Sequence, residues 1–297
     1  MVKGVSAKSG KDNSNIHGQD GNVTKAMNLR SSYLEIRSSF EPVFKGFSLE
    51  DLWSHPDLQP FFKNKEEREI LILTLDSTVF FVKRYHGPGV GLFGYLLRGF
   101  RDRSGPENEW DKAHLLKELG FRAIEPVAFG VERSYGIIRR ALLVTLKMEG
   151  DPLEDLLGEN TGLEQKMLMV EKLAAFAGHF HTLGLSHQDF YLCHFYWSEK
   201  SKEIGLVDLQ RIRRHRRQNG QPRLSWVVKD LAQLDYSARN VLTVEEYDHL
   251  KNTFVSVYKE YLPLIAEPRM ARRIRRKVAR IARHDQKLQA RRNIRDR

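Results

Sequence analysis

The sequence predicts an α+β chain of two lobes, a small β-rich one followed by a mainly helical one. Three observations carry that expectation. Residues 69–85 and 123–147 hold short runs of β-branched, leucine and aromatic side chains bounded by turn residues. Residues 163–183 and 244–261 place apolar side chains at helical spacing. Between those helices, LSHQDFYLCHFYWSEKSKEIGLVDLQRIRRHRR gathers His187, Asp189 and His194 on a short loop, then puts Asp208 at the end of an apolar strand.

An Asp-x4-His followed nineteen residues on by a strand-end acid is similar to the protein-kinase layout, H-R-D-x-x-x-x-N and then D-F-G. That likeness makes the expected architecture a two-lobed protein-kinase-like fold. Phosphoryl transfer needs one carboxylate to orient the attacking hydroxyl and take its proton, and further ligands to hold Mg²⁺ against the phosphates. Asp189 is the candidate base, with Asp208 and His194 the candidate metal pair. His stands where kinases carry Asn, and Mg²⁺ prefers hard oxygen ligands. Three readings therefore stand at His194: a poor ligand, a bridge through water, or a loop histidine making ordinary hydrogen bonds. His187 is expected to brace the loop.

A chain of 297 residues is long enough for two lobes with a real core. Its single cysteine, Cys193, excludes an internal disulfide and suits a reducing compartment. Lying between apolar neighbours in the loop, it is expected to be a buried structural thiol. No stretch is long and apolar enough to span a bilayer, and the N-terminus lacks the layout of a secretory signal. A cytoplasmic protein, attached to a membrane at most by its surface, is the expectation. Residues 1–29 are polar and glycine-rich, so a disordered tail is expected there.

Taken in order, Ser48 to Trp53 reads as a capped helical turn. Glu69 to Leu75 and Thr78 to Tyr85 then form a hairpin about Asp76-Ser77. Lys83, near the end of the second strand, matches the kinase lysine that contacts the α- and β-phosphates of ATP. A lysine on a solvated strand face is the competing reading. The glycine-rich piece 87–99 follows this lysine, so it is read as a connection and not as a phosphate cradle. Where a phosphate-covering loop belongs, between residues 61 and 69, there is no glycine. Residues 107–119 repeat apolar positions at helical spacing, with Gly120 as a stop. Glu109 on that helix is the candidate partner of Lys83, with Glu107 the weaker candidate. Residues 123–130 and 141–147 are further strands. The second leads to a hinge where backbone groups of Leu146 to Met148 would meet the adenine edge of ATP. Gly150-Asp151-Pro152 breaks the chain, dividing a lobe of residues 30–148 from one of 149–266.

Residues 163–183 form the helix that delivers the loop. After Asp208, RIRRHRR carries five arginines in seven residues. A charge run is ordinarily a solvated face, but Arg211, Arg213 and Arg214 sit beside the expected acceptor groove, and guanidinium forks suit anionic ligands. The run LSWVVKDLAQLDYSA reads as a helix whose Asp230 caps the loop backbone from below. Thr243 opens the next helix. In the terminal segment 267–297, residues 269–297 hold thirteen Lys and Arg against two Asp, the whole formal net charge of +11. Met270, Ile274, Val278, Ile281 and Leu288 give it a thin apolar stripe, so it is read as a basic amphipathic helix for an anionic membrane surface. No aromatic residue interleaves the charges, so nucleic acid is not expected as a partner.

FVKRYHGPGVG, ENEW, LSHQDFYLCHFYW, GLVDLQR and VVKDLAQLDYSA together resemble the bacterial lipopolysaccharide core kinases, the heptose kinases most of all, with the Kdo kinases as close relatives. The likeness runs from about residue 62 to 262. D-x-Y-x-C-H-F is that family's own form of the catalytic loop, which accounts for His194. The resemblance implies an ATP- and Mg²⁺-dependent transfer of the γ-phosphate to a sugar hydroxyl of the lipopolysaccharide inner core. By position, Lys83, Glu109, Asp189, His194 and Asp208 inherit the roles above. The implied partner is the lipopolysaccharide core or its lipid A-core precursor, met on the cytoplasmic face of the inner membrane. Kdo or a protein hydroxyl as acceptor, or an inactive pseudokinase, are the alternatives. The Arg that often precedes the base is replaced by Gln188, which argues against a phosphorylated activation loop.

Overall fold

The computed structural model describes residues 30–63, 68–87, 105–135, 137–159, 161–215 and 222–295. The tail 1–29, most of the glycine-rich piece 87–99, the heart of the glycine-free loop and Arg216 and Arg217 lie outside them.

The N-terminal part is built on six antiparallel strands: β1 (Arg30–Ile36), β2 (Gln59–Lys63), β3 (Arg68–Leu75), β4 (Thr78–His86), β6 (Pro126–Ser134) and β7 (Ile137–Leu146), ordered β1-β6-β7-β4-β3-β2. Alternation decides the two faces of this sheet. Leu71, Leu73, Phe80, Val82, Leu142 and Val144 point to one side, under the segment carrying Phe44 and α1 (Leu49–Trp53). Ser48 and Asp51 close α1 with a reciprocal capping box. Phe129, Val131, Ala141 and Leu143 point to the other side, where Trp110 of α2 (Gly105–Glu118) covers them. The β3–β4 turn takes positive φ at both Asp76 (45°) and Ser77 (64°), which suits the right-handed twist of a two-residue hairpin.

The two edge strands, β1 and β2, are absent from the sequence-based expectation. An edge strand buries little, and β1 is mostly exposed, so neither carries the alternation that marks β3 and β4. The short β5 (Arg122–Ala123) leaves the large sheet and runs parallel to β11 (Glu203–Leu206), which pairs with β10 (Phe195–Ser198), itself paired with β8 (Asp151–Pro152). Helices α3 (Leu153–Gly158), α4 (Leu163–Thr182), α5 (Leu224–Val241) and α6 (Val244–Tyr261) enclose the larger core, in which Phe180, Phe190, Phe195 and Trp197 are fully buried. The last strand pair joins β9 (Leu185–Ser186) to β12 (Arg213–Arg214).

Helix α7 (Pro268–Arg295) forms as expected but uses its apolar stripe inward. Met270 is buried, Ile274 packs against the helical core, and Val278 and Ile281 are half-buried. The Tyr236 hydroxyl of α5 donates to Asp285 at 2.6 Å. These four apolar side chains are therefore not free to enter a bilayer, because they cannot be buried twice, whereas Leu288 is exposed. What remains outward is the arginine face.

Gly150 turns the chain between the two parts at φ 99°, and a Cβ there would stand 2.1 Å from the Trp197 carbonyl oxygen. Gly150→Ala is expected to lower the free energy of unfolding by about 2–4 kcal/mol, from positive φ and a backbone clash together, as read by urea denaturation.

Candidate active site

The loop of residues 187–194 hangs on one face of α5. Asp230, Gln233 and Ser237 recur at helical spacing, and each accepts from a loop amide. Asp230 Oδ2 takes His187 N–H at 2.7 Å and Oδ1 takes Gln188 N–H at 3.0 Å. Gln233 Oε1 takes Phe190 N–H at 3.1 Å, and its Nε2 donates to the Gln188 carbonyl at 2.9 Å. Ser237 Oγ takes Leu192 N–H at 3.1 Å. Behind Asp230, the His181 ring stands 3.4 Å away and meets the Tyr258 hydroxyl at 2.8 Å. Burial, and then the Asp230 charge, hold that hydroxyl well above its ordinary titration range. Phe190 anchors the loop in the core between Phe180 and Phe195.

The β10–β11 ladder supplies the opposite wall. His194 immediately precedes β10 and Asp208 follows β11, and Val207 N–H donates to the His194 carbonyl at 3.0 Å. Fourteen residues apart in sequence, their side chains come to face each other, His194 Nε2 lying 3.9 Å from Asp208 Oδ2. His194 Nδ1 is 2.7 Å from the Asp189 carbonyl. A carbonyl only accepts, so Nδ1 carries a proton and Nε2 is the ring nitrogen turned toward Asp208.

Asp208 sits in the left-handed region, φ 55° and ψ 57°, a strained backbone for a residue with a side chain. Burial pushes its carboxyl up, but Lys83, Arg68, His194 and His187 outweigh burial and hold it below the ordinary carboxylate range. Its Oδ1 is buried without a partner. That orphaned oxygen, with the ring nitrogen beside it, is what a divalent cation requires. Among the described residues no group of three or more His, Cys, Asp or Glu gathers to ligate a metal. One carboxylate suits Mg²⁺, which takes most of its ligands from water and substrate phosphates, while the imidazole is the softer neighbour, placed to reach the ion directly or through water.

Across the cleft Lys83 Nζ meets Glu109 Oε1 at 2.5 Å, with Glu109 fully buried. The neighbouring Asn108 donates to the Gln210 carbonyl at 2.5 Å, so one helix turn grips both the strand lysine and the segment after Asp208. Glu107 lies near Arg133 instead, at 3.5 Å. At the hinge, the Leu146 amide is taken by the Glu125 carbonyl and the Lys147 amide by Val79, at 2.9 and 3.1 Å. Of the expected hinge groups, the Leu146 amide is thus committed, while Met148 lies against Gly205.

Arg211 Nη1 contacts Asp189 Oδ2 at 2.7 Å. Arg213 and Arg214 are exposed, their backbone strapped to β9, and Ser186 Oγ and His215 Nε2 lie 2.8 Å apart beside them. Cys193 departs from expectation: its side chain is exposed, because the neighbouring Leu192 and His194 turn inward from the short helical turn 192–194. Partial burial and Glu154 still push its thiol up to about 12, so it is a poor nucleophile at neutral pH. Gln233, Ser237 and Asn108 were not singled out in the sequence. The signal for the first two was their offset of three and seven from Asp230.

Replacing Asp230 by Asn puts an N–H against a loop amide, and loss of a charge-assisted hydrogen bond costs about 1.5–3 kcal/mol. Faster hydrogen exchange confined to amides 187–192 is the expected signature. Burial, with the nearby His194, depresses His187 below its ordinary 6.5 against the pull of Asp230 and Asp208. Below that pH the unfolded chain binds a proton that the folded one refuses, so stability falls as pH falls. His187→Gln should flatten that part of the urea-midpoint profile.

The profile of the lipopolysaccharide kinase (Kdo/WaaP) family matches residues 95–258. The chain is 28% identical over 193 residues to the lipopolysaccharide core heptose(I) kinase WaaP of Escherichia coli, covering 61% of this chain and 71% of that protein. It is 29% identical over 194 residues to the Pseudomonas aeruginosa protein of the same name, covering 61% and 70%. A solved structure described as WaaP in complex with acyl carrier protein superposes with a TM-score of 0.60 at 22% identity, over 84% of this chain and 98% of that one, a likeness of fold. With the kinase-like fold and a match over more than half its length, the chain belongs to the lipopolysaccharide kinase (Kdo/WaaP) family.

Proposed function

We propose that this protein transfers the γ-phosphate of ATP to a heptose hydroxyl of the lipopolysaccharide inner core. The observation that carries the reading is the meeting, in one cleft, of a loop carboxylate, a strand-end carboxylate and a strand lysine held by a buried helix glutamate. The names of the relatives support heptose over Kdo or a protein hydroxyl.

In this scheme Asp189 orients the acceptor hydroxyl and takes its proton. Lys83, fixed by Glu109, holds the α- and β-phosphates, and the Leu146 carbonyl and Met148 amide meet the adenine edge. Asp208, with His194 beside it, would hold Mg²⁺, which when bound would neutralise charge on the phosphates. His187 and Asp230 keep the loop in place. Arg211 has a role the sequence did not suggest, because it occupies the base itself. An exposed ion pair contributes no more than about 1 kcal/mol, and the Arg211 side chain is 59% exposed. An anionic group on the acceptor can therefore draw Arg211 away and free Asp189, with Arg213 and Arg214 alongside.

No helix among the described residues is long and apolar enough to cross a membrane. The outward arginine face of α7 suits an anionic membrane surface, where each basic residue contributes roughly 1 kcal/mol. We infer a cytoplasmic protein peripheral to the inner membrane. The structural neighbour is described in complex with acyl carrier protein, and we infer that a partner of that kind would find a place here. An apolar cavity of about 140 Å³ between α3, α4, α5, α6 and α7, lined by Leu157, Leu173, Leu234, Phe254 and Ile274, suits the acyl chain of an acyl carrier protein.

The test is Mg²⁺-dependent transfer of labelled γ-phosphate from ATP to dephosphorylated lipopolysaccharide core. Asp189→Ala is expected to lower the rate by roughly 10²- to 10⁴-fold while leaving ATP binding intact. Label appearing equally with the mutant would remove Asp189 from catalysis. Label on Kdo and none on heptose would move the acceptor.

A further inference from the structure

Protein kinases cover the nucleotide phosphates with a glycine-rich loop. Here residues 61–69 have no glycine, and the next described residue, Arg68, opens β3. The sheet register places it. Arg68 lies opposite Tyr85 and Ile70 opposite Lys83, and directly paired residues of antiparallel strands share a face. Arg68 and Lys83 therefore stand on the face of the sheet that meets α2 and the cleft.

Arg68 is held there as a cation that makes no ion pair among the described residues. The guanidinium stacks on the Tyr85 ring, 5.4 Å from the centroid. Gly105 at the start of α2 also lies against that ring, where a Cβ would approach it to 2.9 Å. The platform is rigid, and the tight approach explains why a glycine stands at 105. Lys83 has Glu109 as its partner, whereas Arg68 makes no ion pair with a carboxylate among the described residues. Arg68 Nε, the Tyr85 hydroxyl, Glu109 Oε2 and Asp208 Oδ1 are all buried without hydrogen-bond partners. Buried polar atoms left unpaired cost free energy, and a group of four around one cleft marks the place of a polar ligand.

We propose that Arg68 is a phosphate-binding residue of this site, its guanidinium gripping the phosphates of the bound nucleotide in place of the amides of a glycine-rich loop. The inference rests on the reading of the cleft as an ATP site. A guanidinium fork matches phosphate oxygens in pairs, and one charged side chain on a rigid ring needs no glycine to approach the ligand.

Equilibrium binding of ATP and of adenosine to the full chain, with Lys83→Met alongside, tests it. Arg68→Met, which keeps the stem over Tyr85, is expected to weaken ATP binding on the order of 10- to 100-fold, as loss of charge-assisted hydrogen bonds implies, and to leave adenosine binding unchanged. Arg68→Lys keeps the charge without the fork and should fall between. It serves as the measured variant if Arg68→Met shifts the thermal midpoint. Unchanged ATP affinity in Arg68→Met while Lys83→Met loses it, or equal losses for ATP and adenosine, overturns the assignment and leaves the kinase reading standing. No ATP binding by the unmodified chain overturns both.

Discussion

A buried carboxylate cannot be left unpaired in a protein interior, and that requirement at Asp230 governs the geometry of the site. The group is fully buried on a helix, where no water reaches it. Its charge is stabilised by the amides of His187 and Gln188 and by His181 behind. Meeting both amides at once fixes the backbone at the start of the loop and places Gln188 at φ 69°. With Gln188 turned in that sense, the side chain of the following residue leaves the core, and Asp189 faces the cleft. Gln233 and Ser237 repeat the restraint one and two turns further along α5. The loop is thus held by its backbone, which frees its side chains for chemistry.

The opposite wall obeys a different constraint. Asp208 and His194 face each other because a hairpin ladder closes just before one and after the other, and Asp208 takes a left-handed backbone in doing so. Two residues with side chains at positive φ, Gln188 and Asp208, flank Asp189 and His194. Local strain of this kind persists where surrounding structure enforces it. Lys83, Arg68, Glu109 and Asp208 then balance one another across the cleft, with cations depressing the acid and several polar atoms left open. Asn108 ties this balance to the segment after Asp208, so a displacement of α2 would disturb the lysine pair and the acid together.

Helix α7 shows how packing redefines a sequence feature. Its composition makes it a basic amphipathic helix, and its charge excess equals that of the whole chain. The apolar stripe, Leu288 apart, is nevertheless turned toward α5 and the helical core. A docked helix meets a membrane through electrostatics alone, which weaken with salt, whereas a free one would also insert its apolar side chains. The change follows from the presence of a half-covered partner helix, which no local pattern in residues 267–297 reveals.

The sequence by itself determined the central strands β3, β4 and β7, the helices α2, α4, α5 and α6, and the types of residue in the cleft. Each of these rests on local periodicity, turn chemistry or motif spacing, which are properties of neighbouring residues. Asp230 as a loop cap was legible from its place on the helix that follows the loop in sequence. Tertiary structure alone decided the rest. The edge strands β1 and β2 bury too little to leave a pattern. Gln233 and Ser237 look like ordinary helix residues until the loop lies against them. Cys193 turns outward, Arg211 reaches Asp189 across a gap of 22 positions, and Arg68 finds Tyr85 through strand register. The physical reason is common to all of these. Each depends on which chain segment is brought alongside another, and that is set by the packing of the whole core.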